Sequence, residues 1–70
     1  MKKNERIFTV TATALDDGTI CAEWKTTDIK TAWELFDEYV KNYSQHPWVS
    51  YQIIIRSTEK IMRRVIMITS

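Results

Sequence analysis

Few side chains in this sequence belong to the types that catalyse reactions or bind metal ions, and they are spread along the chain. His46 is the only histidine and Cys21 the only cysteine among the 70 residues. His46 stands beside Pro47 with no second ligand at metal-site spacing, and no base is indicated near Cys21 to activate its thiol. A lone cysteine also excludes an intrachain disulfide. We therefore expect neither a metal ion nor a cofactor.

Three carboxylates, Glu34, Asp37 and Glu38, lie close together in the sequence. Such groups perform acid–base chemistry only when they are desolvated in a cleft. Here they fall on the outer side of a predicted helix, where Asp37 is spaced to form an ordinary i, i+4 pair with Lys41. We interpret them as a solvated surface, and the sequence favours a protein that is not an enzyme.

Basic side chains are concentrated in the C-terminal third of the chain, at Arg56, Lys60, Arg63 and Arg64. With the rings of Trp48 and Tyr51 they suggest a nucleic-acid site, in which cations hold phosphates and aromatic rings stack on bases. However, Tyr51 belongs to the strand face that we assign to the core, and the glycine-and-aromatic signature of common RNA-binding strands is absent. Nucleic-acid binding by this basic hairpin is therefore the alternative function.

The formal net charge of +1 is distributed unevenly along the chain. Residues 1–15 carry three basic residues against one acid, residues 16–47 carry three against seven, and residues 48–70 carry four against one. The sequence thus predicts an acidic middle and basic ends, a separation that influences solubility and the choice of partner.

One segment, residues 28–43, has the pattern of an amphipathic helix. Its apolar residues recur at the i, i+3, i+4 and i+7 steps of one helical face: Ile29, Ala32, Trp33, Phe36, Tyr39, Val40 and Tyr43. Asp28 is the predicted N-cap, with Thr27 as the alternative, because its carboxylate can accept a backbone N–H of the first turn. Pro47 requires the helix to end before it.

Four segments alternate between apolar and polar residues or are continuously apolar, and we predict strands at residues 6–15, 19–26, 48–57 and 61–69. Between the first two we predict a three-residue loop with Gly18 in the left-handed conformation. This register pairs Ala14 with Ile20 and keeps the apolar residues of both strands on one side, whereas a slip of one residue would mix the faces.

The predicted element order is ββαββ, an α+β fold in which a four-stranded, mainly antiparallel sheet carries one helix on one face. An antiparallel sheet then needs the strand order 2-1-3-4 or 1-2-4-3, and we favour the first. Residues 1–70 form a single domain, with residues 1–5 expected to be frayed. The basic start MKKNER is followed by no unbroken apolar run, and no segment has the length of a membrane span, so we expect a cytoplasmic protein without a membrane partner.

The predicted fourth strand is apolar on both faces, which is its most informative property. Alternation places Ile61, Val65 and Met67 on one face and Met62, Ile66 and Ile68 on the other. One helix covers only one face of a sheet, so part of this apolar surface would be left exposed, as at an interface. A bulge that changes the phase and hides both sets under the helix is the alternative.

The stretch FTVTATALDDGTICAEWKTTDIKTAWELF joins a β-hairpin to a capped helix that opens on an alanine and aromatic residues. In this pattern the chain resembles small phage proteins that inhibit host enzymes, among them T7-type inhibitors of host RNA polymerase and small anti-CRISPR proteins. The fourth strand has no counterpart in the simplest of these. The resemblance implies an inhibitor or accessory protein that docks on a host or phage protein, and a likeness of fold transfers no functional residue.

We therefore predict that the chain acts by binding another protein through the sheet face turned away from the helix. We also predict a homodimer formed through the hairpin of the last two strands. Such a surface is flat and partly apolar, and arginine commonly anchors interfaces. The predicted partner-binding residues are Ile54, Arg56, Arg63, Arg64, Ile66 and Ile68.

Overall fold

The computed structural model describes residues 6–45 and 48–68, so the first five residues and His46 lie outside the described part. The elements are β1 (Phe8–Ala14), β2 (Ile20–Thr26), α1 (Ile29–Tyr43), β3 (Tyr51–Arg56) and β4 (Ile61–Met67). The four strands form one antiparallel sheet in the order β2-β1-β3-β4. The predicted ββαββ order, the α+β class and the favoured strand order are confirmed.

The β1–β2 hairpin differs from the prediction in its loop. Gly18 has a φ of +76°, as predicted, but its N–H donates to the carbonyl of Ala14 at 2.9 Å, and the N–H of Ala14 donates to the carbonyl of Thr19 at 2.8 Å. The loop thus has four residues, and the predicted pairing of Ala14 with Ile20 is wrong. A β-bulge at Cys21 restores the predicted register, so that Ala12 pairs with Ala22.

Asp28 is the N-cap of α1, as predicted. Its carboxylate accepts the backbone N–H of Lys30 at 3.1 Å and the hydroxyl of Thr31 at 2.8 Å. These donors hold the pKa of Asp28 below its usual value, with the Thr31 hydroxyl as the larger cause. The cap fixes the start of the helix directly after β2 and so directs its apolar stripe toward the sheet.

The helix packs mainly on the two central strands, β1 and β3, and less on β2. A helix with its side chains is about 10–12 Å wide, whereas four strands spaced about 4.8 Å apart extend across roughly 19 Å. One helix can therefore bury only the middle of this sheet. The buried apolar core is Phe8, Val10, Ala12, Ala32, Phe36, Ile53 and Ile55.

The limited width of the helix corrects one expectation about the aromatic residues. Phe36 is buried, and Trp33 packs partly buried against the core, with the two ring centroids 5.6 Å apart. The alternation of residues 19–26 predicts that Trp24 packs beneath these two rings. Trp24 does pair with Val10 and so faces the helix side, but 53% of it is exposed. It lies on the edge strand β2, beyond the part of the sheet that the helix covers.

A second bulge lies in β4 and decides which of its apolar residues face the helix. Ile55 pairs with Arg63 and Arg56 pairs with Ile61, which leaves Met62 as the extra residue. Met62 then packs against the core together with Val65 and Met67. Simple alternation along β4 predicts the reverse. It places Ile61 on the same face as Val65 and Met67, and Met62 on the other face.

Candidate interaction surface

The sheet face turned away from α1, called the open face below, is built from three rows of side chains. Residues paired across neighbouring strands share a face, so each row crosses β2, β1, β3 and β4 in turn. The apolar row is Ile20, Thr13, Gln52 and Ile66; the middle row is Glu23, Thr11, Ile54 and Arg64; the basic row is Lys25, Thr9, Arg56 and Ile61.

Isoleucines make the open face partly apolar. Ile20 is 58% exposed, and Ile61 and Ile66 are 49% exposed each, while Ile54 at the centre is half-buried between its strand neighbours. Ile68, directly after β4, is 75% exposed. The bulge in β4 therefore does not hide both sets of apolar residues, and the predicted exposed apolar surface is present.

The structure brings most of the predicted partner-binding residues onto this one surface. Ile54, Arg56, Arg64 and Ile66 all belong to the three rows. Arg63 does not, because it pairs with Ile55 and therefore lies on the helix side of the sheet. Neighbouring residues of a strand point to opposite faces, so Arg63 and Arg64 cannot contact the same flat partner.

Sequence reasoning missed the contribution of β2 to the open face. Ile20 pairs with Thr13 and lies on the open face. Cys21 is the extra residue of the bulge, so Ile20 and Ala22 do not share a face. Simple alternation had assigned Ile20 to the core side. Glu23 and Lys25 are polar positions of β2, and the strand order places them in rows with residues of β4.

The basic residues proposed for nucleic-acid binding are divided by the fold. Arg56 and Arg64 lie on the open face and Arg63 on the other, while Lys60 lies in the loop between β3 and β4. That loop is held by the buried Ser57, whose hydroxyl accepts the N–H of Lys60 at 3.2 Å.

Aromatic rings are not found among the residues that form the three rows. Tyr51 faces the helix side, where its ring centroid lies 4.7 Å from that of Tyr43. Tyr43 in turn packs edge-on against Tyr39 at 6.1 Å, and burial raises the pKa of both phenols of α1. The three rows thus offer no ring on which a base would stack, while Trp48, which precedes β3, is 79% exposed.

The remaining polar groups form no reactive arrangement in the described part of the chain. Cys21 is exposed, and its Sγ lies 3.8 Å from the carbonyl oxygen of Thr19. No group of three His, Cys, Asp or Glu residues in residues 6–45 and 48–68 is placed to hold a metal ion. The outer side of α1 forms a shallow depression lined by Glu34, Asp37, Glu38, Lys41 and Asn42.

The helix α1 is not long and apolar enough to cross a membrane, and the structure describes no other helix in these residues. No protein-family model matches the chain, and no curated protein or solved structure is significantly similar to it.

Proposed function

We propose that this chain is a small protein-binding protein that works without chemistry of its own and binds its partner through the open face. The observation that supports this proposal is the position of the exposed isoleucines. Ile20, Ile61 and Ile66 lie together on one face of the sheet, and Ile54 lies between them. An exposed apolar surface of this kind, edged by arginines, is typical of a protein interface.

The two sides of the molecule also differ in charge. The open face carries Lys25, Arg56 and Arg64 against Glu23 alone, whereas the depression on α1 carries three acids against Lys41. Exposed flexible acidic and basic side chains contribute little free energy to binding. The open face, with rigid β-branched side chains at its centre, is therefore the better candidate for the interface.

The resemblance to small phage inhibitors supports the same kind of action, namely docking on a host or phage protein in the cytoplasm. In that setting the chain would act by occupying a surface of its target. Nucleic-acid binding remains the second candidate through Arg56 and Arg64, but the division of the basic residues and the position of Tyr51 favour a protein partner.

The proposal is tested by capture from a lysate of the native host, followed by titration of the purified partner. We expect the Ile54→Asp and Ile66→Asp variants to bind at least about tenfold more weakly than the parent, because each places an unpaired charge in the apolar contact. The Glu34→Lys/Glu38→Lys variant, altered on the outer side of α1, serves as the matched control and should bind like the parent.

The reverse pattern, in which the helix variant loses the partner and the sheet variants keep it, would place the interface on the outer side of α1 and contradict the proposal. Circular dichroism of each variant establishes that the fold is intact. Retention on DNA that falls steeply with added salt would instead support the nucleic-acid alternative.

A further inference from the structure

We infer that the open face is complementary to itself, and that a second copy of this chain binds it face to face about a two-fold axis parallel to the strands. The inference rests on the proposed function, since it names one partner for the same surface. It is carried by the order in which charged and apolar residues follow one another across the three rows.

The middle row carries opposite charges at its two ends. Glu23 lies on the edge strand β2 and Arg64 on the opposite edge strand β4, with Thr11 and Ile54 between them. Three strand spacings separate the ends by about 14 Å, so the two charges do not pair within one copy. Each is therefore available to a partner.

A two-fold axis that runs along the strands, midway between two stacked sheets, exchanges the edges and preserves the rows. It places β2 of one copy over β4 of the other. Glu23 then faces Arg64 of the second copy, and by symmetry the same pair forms twice. In the apolar row, the same operation places Ile20 over Ile66, again twice.

The other two-fold axis in the plane of the interface, perpendicular to the strands, gives the opposite result. It stacks each strand on its own copy, so that Glu23 meets Glu23 and Arg64 meets Arg64 in the middle row. Like charges in contact oppose association. The charge pattern thus selects the first arrangement, a β-sandwich of two sheets with the helices on the outside.

The size of the face agrees with a weak and specific dimer. Four strands of about seven residues cover roughly 400 Å² in projection, at a rise of about 3.3 Å and a spacing of about 4.8 Å. Together the two faces bury an area close to the lower limit for specific interfaces, which is about 1,000 Å². Lys25 and Arg56 lie in the row at the end of the sheet, where long side chains reach water. We expect a dissociation constant in the micromolar range.

Sedimentation equilibrium of four samples tests this arrangement. The parent chain should dimerise, and Glu23→Arg and Arg64→Glu should each weaken the dimer by about tenfold or more, because both symmetric pairs become repulsive. An equimolar mixture of these two variants should recover the parent affinity to within about threefold, since each interface then contains two attractive pairs. The Glu34→Lys/Glu38→Lys variant should dimerise like the parent.

A parent chain that stays monomeric up to about 500 µM, or a mixture no tighter than its components, would overturn the inference. The Ile54→Asp variant separates this failure from that of the proposed function. If this variant loses a purified heterologous partner while the parent chain is monomeric, the open face still binds proteins and only self-association is wrong. If Ile54→Asp dimerises and binds the heterologous partner as the parent does, the open face is not the contact surface. The inference and the proposed function then both fail.

Discussion

The two faces of the sheet are made by the same four strands, yet one is covered by α1 and the other is not. Ile53 and Ile54 are neighbours in β3 and are chemically identical. Ile53 lies under α1 and is fully buried, whereas Ile54 lies on the open face and is only half-buried. The difference arises from the helix, because alternation of side chains places successive residues on opposite sides of the sheet.

The comparison teaches that burial in this domain is decided by the reach of one helix as well as by residue type. On the covered face the helix buries the central strands and leaves Trp24 exposed at the edge. On the open face the described residues include no second layer, and the isoleucines remain accessible. A sheet of this width with a single helix has one face available for a partner.

The largest effect is expected where the covered face meets the helix. Phe36 is 3% exposed and belongs to the core cluster. The Phe36→Ala variant should lose about 3–5 kcal/mol of unfolding free energy through lost burial and a residual cavity, a large part of the stability of so small a domain. Chemical denaturation measures this loss, and a variant that melts within a few degrees of the parent would contradict the assigned core.

The pair Ile53→Ala and Ile54→Ala compares the two faces with the same chemical change. Ile53→Ala should cost about 2–5 kcal/mol, because the side chain is fully buried. Ile54→Ala should cost roughly 1 kcal/mol in the monomer, since much of its side chain still contacts water. Urea denaturation at a concentration below dimerisation gives both values, and equal losses would show that the open face is covered.

The two tryptophans near the helix distinguish the centre of the covered face from its edge. Trp33 packs against Phe36, while Trp24 is 53% exposed on β2. Trp33→Ala should therefore destabilise the fold more than Trp24→Ala, for which we expect about 1–2 kcal/mol. Thermal unfolding of the two variants checks the order, and a larger loss at Trp24 would mean that the helix extends over β2.

A smaller, pH-dependent effect is expected at the start of α1. Because the pKa of Asp28 is lowered in the folded state, its charged form stabilises the fold above pH 3.8, the ordinary value for this group. That contribution is lost as the pH falls through the lowered folded-state pKa. Asp28→Asn retains a capping side chain but does not titrate.

The melting temperature of Asp28→Asn should accordingly lie slightly below that of the parent at neutral pH, because the amide still caps the helix but lacks the charge. Between about pH 4 and pH 2 it should decline less than that of the parent. Thermal melts across this range measure the difference. Parallel curves for the two proteins would show that the cap makes no titrating contribution to stability.

The smallest effect is expected on the outer side of α1. Glu34 and Glu38 are exposed and line the shallow depression of the helix. The double change Glu34→Lys/Glu38→Lys should alter the unfolding free energy by about 0.5 kcal/mol or less. A larger loss in denaturation, or lost binding, would show that this side makes contacts outside the described structure.

The parts of the fold that the sequence predicted are those fixed by strong local chemistry. Asp28 was identified as the helix cap, and Gly18 as the left-handed turn residue, because few residue types suit these positions. The ββαββ pattern and the requirement for an antiparallel sheet left two strand orders, and the favoured one, 2-1-3-4, is the one observed. The apolar alternation of β1 and β3 indicated the covered face correctly.

The parts that the sequence did not predict are the two bulges. Each bulge inserts one residue and shifts the alternation of side chains by one position. The first bulge places Ile20 on the open face. The second places Ile61 on the open face and Met62 on the helix side. At each bulge the neighbouring residues are all apolar or small, so the hydrophobic pattern is the same with or without the shift. The pattern therefore does not reveal the inserted residue. Two edge residues of the candidate surface were missed for this reason.

The isoleucines provide the most direct test, because they sample both faces of the sheet. Methyl NMR spectra of the chain, recorded over a concentration series and with its purified partner, should show shifts at Ile54 and Ile66. The methyl groups of Ile53 and Ile55, buried under the helix, should change little. Shifts confined to Ile29 on the helix, with Ile54 and Ile66 unchanged in both series, would contradict the assignment of the open face as the binding surface.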